Sequence, residues 1–388
     1  MIQNDRLYTL QFWLLAISHA LFGASFSMII PELPAYLTTL GGGEYKGLII
    51  ALFTLTAGIS RPFSGKLTDT IGRMPVMIFG TLVCVVCSLF YPILTSVAGF
   101  LLLRFFHGFS TGFKPTASTA YVADIVPINR RGEAMGIMGV AMNTGASIAP
   151  PFGSWLAMEY SLDIMFYVSS GFALVSILIL MNLKETLKEK QPFKVELLKI
   201  SKSDILDPSA IAPAIVTLAV YLNLGVMLTI VPDHSVYLGI ENKGLFLMSL
   251  TAFSLLSRFF AGKISDRFGR VLIIKVSIIS LALSLIWMGY ANSAFSLLAS
   301  SGAIGFSVGI AAPAIFAWTI DRSEENRRGR AMATVYIALE VGIGAGAILS
   351  AWIYNNDYSN FGIAFFITAF LTILGYFYLQ FVLVTTKE

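Results

Sequence analysis

The sequence predicts an all-α membrane protein with twelve transmembrane helices in two pseudo-symmetric six-helix bundles. Three observations carry this reading. Apolar runs of spanning length recur along the chain, its halves repeat one another at a fixed offset, and its basic residues gather on alternate connections. The 388 residues are 56% hydrophobic and only 12% charged, too little charge to cover the surface of a soluble protein this long.

Each crossing needs about 20 predominantly apolar residues. Such runs lie near 10–33, 45–64, 74–94, 97–122, 132–157, 162–183, 209–231, 244–262, 271–291, 295–320, 329–353 and 358–383. The first is too long for a signal peptide and lacks a cleavage pattern, so it counts as structure. The glycines and prolines inside the runs are tolerated by membrane helices, whose freed backbone groups find other partners.

The repeat is read from GKLTDTIGR at Gly65–Arg73 and GKISDRFGR at Gly262–Arg270, offset by 197 residues. The same offset relates Ser60 and Arg61 to Ser257 and Arg258, Asp124 to Asp321, and Gly145 to Gly342. It also relates Arg131, Gly132, Ala134 and Met135 to Arg328, Gly329, Ala331 and Met332. A constant offset means one plan used twice, which in a membrane protein suggests two bundles around a shared path. The expected domains are an N-terminal bundle over 1–183, a cytoplasmic linker over 184–208 and a C-terminal bundle over 209–388.

Basic residues set the orientation. Arg61, Lys66 and Arg73, Arg130 and Arg131, Lys184 to Lys202, Arg258 to Lys275 and Arg322 to Arg330 fall on one set of connections. Lys46 and Lys243 are the only ones on the other. Both termini are therefore expected in the cytoplasm, with the protein a multi-pass component of the cytoplasmic membrane. The net charge of +4 reflects this asymmetry and gives no support for nucleic-acid binding. In the linker, Val195, Leu197, Leu198 and Ile200 suit either a short helix on the inner leaflet or a solvated tether.

Enzyme signatures are missing. Cys84 and Cys87 form C-x-x-C in mid-span, where two thiols cannot complete a zinc site, and they read as packing residues. No nucleophile–base order, metal cluster or phosphate loop stands out, so neither enzyme activity nor any metal or cofactor is expected.

The repeated G-x-x-x-D-x-x-G-R resembles the signature loop of the major facilitator superfamily, and the likeness in layout covers essentially the whole chain. Physically, Gly65 allows close helix approach, Asp69 suits a helix N-terminus, Gly72 permits the turn, and Arg73 can pair with an acid. The resemblance implies that these residues form a cytoplasmic latch, with Gly262, Asp266, Gly269 and Arg270 as its second form. GIMGVAMNTGASIAPPFGS, Gly136–Ser154, resembles the antiporter motif of the drug/proton exchangers in this superfamily. Gly136, Gly145, Pro150 and Gly153 match it, whereas Ala149 and Ser154 stand where the family has glycine. RFFHG at Arg104–Gly108 resembles the family's Arg-x-x-Gln-Gly, with His107 replacing glutamine. Each of these stretches also reads simply as turn or packing sequence.

Charges in mid-span cost at least ~2.5–3.5 kcal/mol on insertion scales. Arg104, His107, Thr111 and Lys114 share an arc of about 80° on the fourth span, a polar stripe roughly 15 Å long. The family's arrangement would bring His19 toward it. Glu340 is the clearest intramembrane acid, and the offset maps it onto Asn143. Expected proton-coupling residues are Glu340, His19 and His107. Expected cavity residues are Arg104, Lys114, Asn143, Tyr221, Asn223 and Tyr336, with Trp318 a further candidate wall. For Lys114 two roles stay open, counter-ion to Glu340 or ligand to a substrate anion. Asp124 and Asp321 are expected to pair locally with the nearby Arg131 and Arg328. Asp233 and His234 are expected at the surface.

These features together suggest a secondary transporter, acting as a monomer, that exports a small molecule in exchange for protons. The surplus of cavity cations favours an anionic or zwitterionic substrate. Uptake of an organic anion or sugar, or movement of lipid, would use the same fold. A receptor or intramembrane enzyme is the remote alternative.

Overall fold

The computed structural model describes residues 9–127, 130–199, 206–324 and 327–385, and leaves Ile200 and Lys202 of the linker outside. Thirteen α-helices follow in order among the described residues. They are α1 (Leu10–Met28), α2 (Leu33–Thr39), α3 (Lys46–Thr70), α4 (Arg73–Phe90), α5 (Val97–Ile125), α6 (Arg131–Glu159) and α7 (Leu162–Leu180). Then come α8 (Ile211–Tyr237), α9 (Leu245–Phe268), α10 (Arg270–Gly289), α11 (Ala294–Arg322), α12 (Arg328–Tyr354) and α13 (Phe361–Thr385). All but the seven-residue α2 match the twelve expected spans. Among the described residues, ten candidate spans are long and apolar enough to cross a membrane. The exceptions, α5 and α6, have 29 residues each, ample length, but α5 carries the polar stripe and α6 the glycine-rich stretch.

The chain divides into two compact units. Unit 1 holds Met1–Ile30 and Ile59–Ile200, and unit 2 holds Pro31–Gly58 and Ser201–Glu388. The first outer connection, α2 and the start of α3 thus cluster with the second half of the chain.

The 197-residue offset extends to the helices and their packing. It carries the ends of α5 onto those of α11, and Ser96, whose side chain accepts the Gly99 amide, onto Ser293, which accepts that of Ser296. Such caps satisfy amides that a helix start leaves unpaired. In unit 1, α1 packs on α6 and α7, and α4 on α5 and α7. In unit 2, α8 packs on α12 and α13, and α10 on α11 and α13.

Lipid offers no hydrophobic drive for helices to associate, so small residues that let backbones touch do this work. A Cβ at Gly145 of α6 would lie 2.1 Å from the Ala20 carbonyl oxygen of α1, and one at Gly153 2.5 Å from that of Met28. The repeat mate Gly342 of α12 stands 2.7 Å from the Leu218 carbonyl of α8 on the same measure. Two glycines of the antiporter-like stretch are therefore contact points of α1 with α6. A Cβ at Gly136 meets nothing within 4 Å. Pro150 and its neighbour Pro151 lie inside an unbroken α6.

Two local expectations are corrected. Arg61 lies within α3, and Arg258 within α9, not in connections. Most of each signature stretch is also helical, and the turn comes only at Gly72 (φ +123°) and Gly269 (φ +90°), a region open to glycine.

Gly145→Ala should destabilise the protein by about 1–3 kcal/mol, because the methyl group has no room to enter a backbone contact. Gly171→Ala, in α7 where a Cβ meets nothing within 4 Å, should be close to neutral. Thermal unfolding of both variants in detergent checks the contrast.

Candidate functional site

The signature turns carry matching charge networks. Arg73, at the start of α4, donates from Nη1 to Asp69 Oδ1 (2.9 Å) and the Thr68 carbonyl (2.6 Å), and from Nε to Asp124 Oδ2 (3.0 Å). Arg270 repeats this with Asp266 and with Asp321 Oδ2 (3.3 Å). Asp124 therefore pairs with an arginine 51 residues upstream, whereas Arg131 donates to the Ala123 carbonyl. This corrects the expected local pairing of Asp124 with Arg131; the Arg328 side chain lies outside the described residues. Within unit 1, Gly65 meets no crowding helix.

The anion at the α4 N-terminus is Glu185, from the linker. Its carboxylate accepts the amides of Arg73 (3.1 Å), Met74 (3.0 Å), Thr186 and Leu187 (2.9 Å each). Partial burial pushes this carboxyl up, but the four amides outweigh it and hold it below the usual range. A Cβ at Gly72 would fall 2.4 Å from Glu185 Oε2, so glycine is needed both for the turn and for the clamp. Thr186 Oγ1 donates to Asp124 (2.6 Å), the Gln191 amide to the Thr70 carbonyl (2.9 Å) and Lys66 Nζ to the Lys199 carbonyl (2.7 Å). The linker is thus strapped to unit 1. Its Val195–Leu198 stretch is one 3₁₀ turn.

The polar stripe of α5 is buried inside unit 1. Lys114 Nζ donates to the Ser18 carbonyl (2.9 Å), Ser18 Oγ (3.0 Å) and Ser176 Oγ (2.5 Å), and lies 4.7 Å from the centre of the Phe22 ring. All three ammonium protons have acceptors, contributed by α1 and α7. His19 is also buried, within electrostatic reach of Lys114, and its Nδ1 has no hydrogen-bond partner.

About two to three turns along α5, Arg104 Nη1 donates to the Tyr91 hydroxyl (3.3 Å), which lies 3.2 Å from His107 Nδ1, and His107 Nε2 lies 3.1 Å from Cys84 Sγ. A neutral imidazole fits this string, with each group donating to the next. Cys84 is therefore a polar partner, not the plain packing residue expected from mid-span C-x-x-C. Arg104, His107 and Lys114 are at most 1% exposed. Each has bonded partners within unit 1.

Three of the expected residues of unit 2, Tyr221, Tyr336 and Glu340, form a second group. Tyr221 of α8 lies within electrostatic reach of Arg258, Tyr336 and Glu340. Glu340 is 7% exposed and packs against Gly58, where a Cβ would approach its own Cβ to 3.5 Å. Asn223 is buried, its amide donating to the Val220 carbonyl while Oδ1 has no partner. Arg258, whose buried Nε also lacks a partner, was missed in the sequence because basic residues near a span end read as loop signals. Asn143, in unit 1, donates to the Gly139 carbonyl at 2.7 Å. Trp318 lies under the Arg322 guanidinium at 5.6 Å.

Two residues expected at the surface are not there. Asp233 pairs with Lys46, and His234 stacks on Phe361 with ring centres 3.5 Å apart.

The family model "Major Facilitator Superfamily" matches residues 15–274 and 213–388. The chain belongs to the major facilitator superfamily. It is therefore a multi-pass integral membrane transporter and not an enzyme. It is 28% identical over 355 residues to the multidrug resistance protein MdtG of Serratia proteamaculans, covering 85% of this chain and 84% of that one. It is 26% identical over 310 residues to a multi-drug resistance efflux pump PmrA homolog of Lactococcus lactis, covering 76% and 75%. The crystal structure of a D-xylose-proton symporter shares the fold with a TM-score of 0.77 at 16% identity, over 95% of this chain and 96% of that one.

Two outcomes test these networks. Glu185→Ala should lower the melting temperature at neutral pH, by the ~0.5–2 kcal/mol of a lost helix cap. The Glu185 carboxyl titrates lower folded than unfolded, so its contribution is present above the unfolded value and lost as pH falls through the folded one. The gap between wild type and variant should thus close on acidification below pH 4.5. Separately, Ser18→Ala with Ser176→Ala should destabilise more than Lys114→Met. The serine pair strips two acceptors from a buried ammonium, at ~1–3 kcal/mol for each polar group left unsatisfied. Lys114→Met leaves the two hydroxyls bonded to each other at 2.8 Å. Thermal stability of the two variants decides the order.

Proposed function

We propose that this transporter is a proton-coupled exporter of small organic molecules, working by alternating access, with both termini in the cytoplasm. The observation that carries the reading is Glu340, a buried carboxylate at mid-helix in α12, grouped with Tyr221, Tyr336 and Arg258. An acid at that depth is costly and functional by default. It can hold a proton or a charge according to which side of the membrane the site faces. The relatives named for multidrug resistance and efflux support the outward direction. Basic connections on the linker side support the orientation.

In this reading the group around Glu340, with Asn223, meets both substrate and proton. His19 is the further proton-coupling candidate, with an unoccupied ring nitrogen beside Lys114. Lys114, Arg104 and His107 stabilise the interior of unit 1 and leave substrate charge to be set around Glu340 and Arg258. The Arg73 and Arg270 networks act as gate elements at the cytoplasmic ends.

In proteoliposomes with an imposed pH gradient, the wild type should accumulate a fluorescent multidrug substrate against its gradient. Glu340→Gln keeps the size but cannot titrate, so it should retain downhill exchange and lose uphill accumulation. Accumulation by the variant with unchanged pH dependence would remove Glu340 from the mechanism.

A further inference from the structure

The only two basic residues of the connections opposite the signature turns are Lys46 and Lys243, and the repeat offset maps one onto the other. Each begins, or lies just ahead of, the second long helix of its repeat, α3 or α9. Neither is a solvated topology signal. Lys46 Nζ bonds Asp233 Oδ2, and Lys243 Nζ bonds Glu32 Oε2 at 2.6 Å. Exposure of the four side chains is only 6–17%.

The pairing is crossed. Lys46 and Glu32 belong to the first sequence repeat, Asp233 and Lys243 to the second, and each lysine takes the other repeat's acid. Asp233 maps under the offset to position 36, four residues from Glu32, about one helical turn. Two symmetry-related lysines and two acids displaced by one turn thus make a reciprocal pair of bonds. These bonds help explain why Pro31–Gly58 clusters with the second half of the chain.

The pairs crown a seam between α3 and α12. A Cβ at Gly47 would lie 2.8 Å from the Ala347 carbonyl and 2.9 Å from Ala351 Cβ, and one at Gly344 2.8 Å from Thr54 Oγ1. Asn356, in the left-handed region at φ +56°, donates to the Gly43 carbonyl at 3.1 Å. At the other end of the same seam Gly58 abuts Glu340. From Lys46 to Gly58 is about 18 Å of helix.

We propose that the crossed pairs Lys46–Asp233 and Lys243–Glu32 form an external clasp. It holds residues 31–58 against the second repeat and releases when the transporter opens outward. This rests on the orientation proposed above. Ion pairs suit a reversible clasp because their attraction roughly offsets the cost of removing both charges from water. Opening rehydrates all four charges together, so release is cheap. Removing one partner of a closed pair is different, since the other is left buried alone. The clasp therefore sets which conformation is populated more than how stable the fold is.

The test reads the clasp without substrate. Thr229, 1% exposed and lining the small cleft beside Lys46 and Tyr354, is replaced by cysteine in full-length protein carrying Cys84→Ser and Cys87→Ser. A membrane-impermeant maleimide is applied to right-side-out and inside-out vesicles. Lys46→Glu with Lys243→Glu should speed labelling from outside about tenfold or more, as a population shift toward the open state. Adding Asp233→Lys and Glu32→Lys recreates both pairs with exchanged charge and should return labelling to the slow rate. Restoration also excludes simple misfolding of the reversed variant. Unchanged labelling on reversal, failure of the exchange to restore it, or faster labelling only from the cytoplasmic side would each overturn the proposal. A responsive clasp in a protein that moves no substrate against a pH gradient would instead refute the export reading and leave the clasp standing.

Discussion

Hydrocarbon provides no hydrogen bonds, so every charge within the spans must be satisfied by the protein itself. That constraint explains more of this molecule than any single motif. Lys114 meets it with two serines, a carbonyl and an aromatic face, with no acid within hydrogen-bond reach among the described residues. Arg104 and His107 share the Tyr91 hydroxyl, and His107 also reaches Cys84. The serines come from α1 and α7 and the tyrosine from just beyond α4, so satisfying these charges ties together the helices that surround α5. The same chemistry that makes a buried charge costly makes it a strong constraint on how helices are arranged.

Glycine supplies the other half of the arrangement. Where the buried charges fix which helices meet, the contacts of Gly145 with Ala20 and of Gly342 with Leu218 fix how closely. Because the two glycines are repeat mates, one backbone contact is built twice, α1 on α6 and α8 on α12. The symmetry is not carried into the polar chemistry. Asn143 donates to its own helix, while its mate Glu340 is an acid grouped with Tyr221 and Arg258. The scaffold is duplicated, and the functional groups have diverged upon it.

Much of this was legible in the sequence. Apolar length fixes a span, and a constant offset fixes a repeat, so helix ends fell within a few residues of expectation except where polar ends extend beyond the apolar run, as in α3, α8 and α9. What could not be read was partnership at long separation. Nothing local marks Glu185 as the anion for α4, since it lies among lysines in a linker and its amide donors at Arg73 and Met74 are over a hundred residues away. Proximity in sequence points Asp124 to Arg131, whereas the structure pairs it with Arg73. Arg61 and Arg258 read as loop residues because basic residues are the usual mark of a membrane boundary, a rule about position that does not say how far a helix continues past it.

The linker and the outer ion pairs show how one chain can be firm in one place and reversible in another. Glu185 is held by four backbone amides and lies against a glycine that tolerates no side chain. Those bonds are local to unit 1, and a change of access at the substrate site need not disturb them. Lys46 and Lys243 use side chain on side chain, which can part and rehydrate without breaking any helix. Backbone bonding of the anion suits a fixed strap, and paired side chains suit a contact made and broken each cycle. An ion pair is weak evidence for stability when buried, but that weakness is what a moving part requires. In the proposed mechanism the two states would then stay within the few kcal/mol that a proton on Glu340 could bias.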